Sequence, residues 1–130
     1  MGLSIKGDMK IEINKLPPSV NHMYGRSRYG HIYLTPKGKE FKEELGWILK
    51  TKRAVFGSAL VKVDLVFKIS DKRKRDVDNM LKATFDALKD VIIDDDSQIM
   101  RVTATKMLGH YNKTIIYINN LDESLTEGDE

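Results

Sequence analysis

The 130 residues include no cysteine, which excludes disulfides, thiolate metal sites and cysteine nucleophiles together. Histidine is scarce: His22, His31 and His110 stand alone, none paired with another at metal-ligand spacing. A metal ion bound by such a chain must therefore rest on carboxylates. No apolar run approaches the roughly 18 residues of a membrane span, and residues 1–10 carry charges where a secretory signal needs its apolar block. We expect a soluble, cytoplasmic protein with no membrane partner. Internal repeats and a glycine-rich phosphate loop followed by Gly-Lys-Ser or Gly-Lys-Thr are missing too. So is a calcium loop, because the position that needs glycine falls on Leu81 or Ile99 and the one that needs glutamate on Ala87 or Thr105.

What remains is a chain of one-domain size, 41% hydrophobic and 32% charged. Its net charge of +3 hides an asymmetry. Residues 1–75 hold 17 basic and 7 acidic side chains, and residues 76–121 hold 5 and 7. The last nine residues carry five acids and no Lys or Arg, so residues 122–130 are expected to form a disordered acidic tail behind a domain at 1–121. A basic half beside an acid-rich half suits a protein that attracts a polyanion and performs metal chemistry on it.

Alternating apolar residues predict strands over residues 9–16, 59–69, 98–108 and 111–119, the last two joined as a hairpin at Gly109-His110. Thr35-Pro36 opens a helix whose stripe is Phe41, Leu45, Ile48 and Leu49. Trp47 lies off that stripe, and packing is preferred for it over stacking on a base. Residues 19–34 read as a loop or loose hairpin. A second helix presents Val77, Leu81, Phe85 and Leu88 on one face. The expected fold is α/β (α+β): one small domain with a mixed sheet of about four to five strands and two main helices.

The chemistry concentrates in Arg75-Asp76-Val77-Asp78-Asn79-Met80-Leu81-Lys82 and in Asp94-Asp95-Asp96-Ser97-Gln98. Two acids two residues apart point the same way only on extended backbone, so Asp76 should precede the helix and Asp78 should stand in its first turn. Lys82 then lies one turn above Asp78. Asp76, Asp78 and one acid of the 94–96 turn make an oxygen site for Mg²⁺, with Mn²⁺ able to substitute and no organic cofactor required. Lys72, Arg73, Lys74 and Arg75, together with Arg26 and Arg28, are candidate contacts to the phosphates of a polyanion.

These motifs resemble the RusA-type Holliday junction resolvases. Similar too are Pro17-Pro18-Ser19-Val20-Asn21 with Tyr24, and Tyr33-Leu34-Thr35. The resemblance implies a homodimeric, Mg²⁺-dependent endodeoxyribonuclease that resolves four-way DNA junctions by paired nicks. It assigns Asp76, Asp78 and Asp96 as metal-binding catalytic acids and Lys82 as the catalytic lysine, with Asp95 a neighbour that shares the role of Asp96 if the spacing shifts. Two alternatives keep the same residues: a nuclease for flaps or other branched DNA, and a non-catalytic DNA-binding module.

Overall fold

The computed structural model describes residues 9–52, 56, 58–89 and 92–121; the acidic tail lies outside them. Strand β1 (Met9–Ile13) alternates buried and exposed residues and gives way to Pro17-Pro18, which cannot continue a ladder. A short helix α1 (Val20–Met23) and a small hairpin of β2 (Tyr24–Arg26) and β3 (Ile32–Leu34) follow. The loose hairpin was expected; the four-residue helix ahead of it carries no periodicity by which to be recognised. Thr35 then caps α2 (Pro36–Lys52), its hydroxyl accepting the Gly38 amide at 3.1 Å.

The main sheet runs β1-β6-β4-β5, with β4 (Val61–Ile69), β5 (Ile99–Leu108) and β6 (Lys113–Asn120). Only β4 and β5 are parallel, and helix α3 (Val77–Leu88) is their crossover. β5 and β6 therefore do not form the expected hairpin. Each pairs with β4, which lies between them, and residues 109–112 bridge over its end, where the Gly109 amide donates to the Ile69 carbonyl at 3.0 Å. Strand patterning reports which residues face the core, not which strand is the neighbour.

Both long helices cover one sheet face. Ile11, Ile116, Leu65 and Ala104 lie in one cross-strand row of that face, packed with Phe41, Leu45 and Leu49 of α2. α3 buries Met80, Ala83, Thr84, Ala87 and Leu88, a stripe rotated from the expected one, leaving Val77, Leu81 and Phe85 half-buried. Small residues at its centre let the helix settle close to the sheet. Trp47 is 72% exposed, so its expected packing role fails; it lies opposite the buried stripe of α2. The other sheet face is mostly polar, with Glu12 between Lys10 and Lys113 and Ile115 buried among them.

Candidate active site

Asp76 sits immediately before α3 on extended backbone (φ −87°, ψ 129°), and its carboxylate makes no cap hydrogen bond. Asp78 is the second helical residue, and Asp76, Asp78 and Lys82 are all exposed. The start of α3 thus presents two carboxylates and an ammonium group to solvent, undistracted by ion pairs among the described residues.

The acidic turn is organised by Gln98, which is 7% exposed. Its Oε1 accepts the backbone amides of Asp94 and Asp95, each at 2.8 Å, and its Nε2 donates to the Ala59 carbonyl at 2.8 Å. Asp95 caps the short 3-10 turn over Asp96–Gln98, accepting the Ser97 amide at 3.1 Å, and lies 3.6 Å from Lys89. Ser97, more than Lys89, holds its carboxyl below the usual range. Asp96 is exposed, and among the described residues its side chain has no such engagement.

The two acidic groups lie at opposite ends of α3. Because β4 and β5 are parallel, their crossover must carry the chain from one end of the sheet to the other, and twelve helical residues span about 18 Å. The Lys106 ammonium, late in β5, donates to the Arg75 carbonyl at 2.8 Å, fixing the Asp76 end. The Lys89–Asp95 contact fixes the other. Among the described residues, no three His, Asp or Glu side chains of one chain gather closely enough to hold a metal ion. The fold brings Asp76, Asp78 and Lys82 together and leaves Asp96 a helix length away.

Lys72, Arg73 and Lys74 are exposed, as are Arg26 and Arg28 on the β2–β3 hairpin. Arg75 is engaged otherwise: its Nη2 donates to Asp71 at 2.8 Å. Asp71 also accepts the Arg73 amide and, at 3.3 Å, the Asn112 side chain. The Arg75 guanidinium, ahead of these others, holds the Asp71 carboxyl down at about 2. Arg75 thus braces the loop that delivers Asp76, and the Ser70 amide adds a bond to Asn112 at 2.9 Å. Tyr24 donates to Asp86 at 2.8 Å, tying the small hairpin to α3; burial, then that bond, pushes its phenol up to about 12.

Sequence reasoning missed Gln98, Asp71 and Asn112 as organisers. The Asp95-x-x-Gln98 spacing is a capping-box signal that identifies the first. Asn112 has no local signal, since its partners lie about forty residues away.

The family model described as endodeoxyribonuclease RusA matches residues 15–119. The crossover junction endodeoxyribonucleases RusA of Escherichia coli K12 and of Enterobacteria phage 82 are each 34% identical over 93 residues, covering 70% of this chain and 77% of the relative. That of Enterobacteria phage HK97 is 32% identical over 73 residues, 55% of this chain and 60% of its own. With the match extending from just after β1 almost to the end of β6, this chain belongs to the RusA family of endodeoxyribonucleases.

Proposed function

We propose that the chain resolves four-way DNA junctions by paired, Mg²⁺-dependent nicks, acting as a homodimer. The observation that carries this reading is the exposed Asp76–Asp78 pair at the start of α3, with Lys82 one turn above and the basic loop just before it. Pure phosphate binding gains nothing from carboxylates beside its cations. A hard divalent ion, when bound to such oxygens, makes water a better nucleophile and offsets charge on the attacked phosphate. Asp76 and Asp78 would hold it, and Mn²⁺ accepts the same donors. Lys82 supplies positive charge to the phosphate oxygens as they gain negative charge in the transition state. Lys72, Arg73 and Lys74 hold the flanking backbone.

Asp96 completes this donor set only from a second copy, given the length of α3. The outer edge of β5 suits that copy. β5 pairs with β4 on one side alone, and Val102 and Leu108 point to the core side of the sheet yet are 39% and 90% exposed. Two β5 edges paired antiparallel about a two-fold axis would set the Ile99 end of one strand against the Leu108 end of the other. Asp96 of one copy would then approach Asp76 and Asp78 of its mate. A four-way junction needs two matching cuts, which such a dimer supplies.

The test is cleavage of a labelled four-way junction beside matched flap and linear DNA, with Mg²⁺ or EDTA, by wild type and Asp76→Asn. Paired symmetric nicks that require both Mg²⁺ and Asp76 support the proposal. Equal cutting of flaps would assign a broader branched-DNA nuclease, and tight binding without cutting would overturn the catalytic reading.

A further inference from the structure

A cavity of about 590 Å³ opens directly beside Asp76, a volume in the range of small-molecule sites. It lies between the end of β1, the Pro17-Pro18-Ser19 turn, the first turns of α2 and α3, and the 73–76 loop. Its floor is apolar, formed by Leu16, Pro17, Phe41 and Met80, all buried. The lining also includes two amide residues, exposed Asn14 and half-buried Asn79, and three exposed cations, Lys37, Arg73 and Lys74, at the mouth. Among the described residues none of those three cations is in an ion pair. Glu40 at the rim is occupied by Lys15 at 3.3 Å, and Asn112 is held by Ser70 and Asp71.

An apolar floor, amides that both donate and accept, and cations at the mouth match the three parts of a nucleotide: an apolar base face, a hydrogen-bonding base edge and a phosphate. Asp76 belongs to the cavity wall, so a nucleotide held there neighbours any phosphate that Asp76 addresses. We infer that this cavity takes one unstacked nucleotide of the DNA strand, next to the phosphate to be cut. The inference rests on the proposed nuclease activity and adds a source of its selectivity. A base at a branch point gives up a stacking neighbour whenever the arms open, so extruding it costs less than extruding a base inside continuous duplex, which must be unstacked from both neighbours as well as unpaired. Entry to the cavity then aligns the neighbouring phosphate in branched DNA and fails to do so in linear DNA.

The experiment places 2-aminopurine, one position at a time, on either side of the cut in a four-way junction and follows its fluorescence on adding Asp78→Asn protein, which leaves the cavity lining intact. One position beside the cut should brighten as its base leaves the stack, and Asn14→Trp, filling the cavity from an exposed position, should abolish the change. In the otherwise wild-type chain, Asn14→Trp should slow cutting by about a hundredfold, the scale of a misplaced reacting group, while junction binding changes far less. Lys37→Ala, at the mouth, should weaken the brightening in the same direction and does not depend on a bulky insertion folding. No brightening at any position, or full-rate cutting by Asn14→Trp, would overturn the inference. The wild-type assay keeps the two readings apart: paired junction nicks without brightening refute the cavity alone, and no junction cutting at all refutes the nuclease reading.

Discussion

Asp95 and Asp96 are adjacent and chemically identical, yet the fold gives them different work. Asp95 spends its carboxylate on the Ser97 amide and Lys89, whereas Asp96 keeps its oxygens exposed. Asp96→Asn should therefore lower cutting by about two orders of magnitude, as when one preorganised electrostatic group is lost, with an unchanged melting temperature. Asp95→Ala should lower the melting temperature and reduce cutting less. The reverse ranking in a paired activity and thermal-unfolding series would exchange the two assignments. A second residue-scale consequence concerns Asp71, whose carboxyl Arg75 holds down at about 2. An unfolded aspartate titrates near 3.9, so the folded state binds fewer protons between these values. The stabilisation is complete above the unfolded value and is lost as pH falls toward 2. Acid unfolding followed by circular dichroism should separate wild type from Asp71→Asn above about pH 4 and bring the curves together below about pH 2. A gap that stays constant through that range would mean that Arg75 does not hold Asp71 in solution.

Among the elements, α2 is fixed at its first turn by contact with α1. The Thr35 hydroxyl shares its single proton between the His22 and Met23 carbonyls while accepting the Gly38 amide, and a Cβ on buried Gly38 would run into the Met23 carbonyl oxygen and sit 2.8 Å from its Cγ. On an exposed helix, Gly→Ala stabilises by up to about 1 kcal/mol; here, overpacking should make Gly38→Ala destabilising by about 1–3 kcal/mol in urea unfolding. Stability equal to or above wild type would mean that the α1–α2 contact yields. The same region shows how much the sequence discloses. The Thr35-Pro36 start, the alternation of β1 and β4, and the extended Asp76 ahead of α3 were all legible, because each is set by neighbours within a few residues. The β5–β6 hairpin was misread and the Asp71–Asn112 brace unseen, because both depend on β4 passing between strands adjacent in sequence. The division of the acids has a different origin: Asp78 and Asp96 are eighteen residues apart in the sequence, and the parallel β4–α3–β5 crossover turns that separation into a helix length.

At the scale of the whole molecule, the division of the acids makes a cis site and a shared site experimentally distinct. Suppose Asp78→Asn and Asp96→Asn chains are each inactive, and are mixed and refolded into heterodimers. If every site draws Asp76, Asp78 and Asp96 from one chain, both sites of the heterodimer carry a lesion and nothing is cut. If Asp96 comes from the mate, both lesions fall in one site and the other is intact. The mixture should then regain nicking, as single nicks rather than paired cuts, since only one of two symmetric sites survives. Gel analysis under denaturing and native conditions separates the outcomes: restored nicks with unresolved junctions support sharing across the dimer, and a silent mixture whose heterodimers are verified by mass refutes it. The edge of β5 gives the matching physical control. Leu108→Arg puts a charge on a side chain that is 90% exposed in the single chain, so it should leave the chain folded while breaking a β5–β5 contact. Sedimentation should show a monomer that still binds DNA and no longer cuts; a dimer that still cuts would move the interface away from this edge.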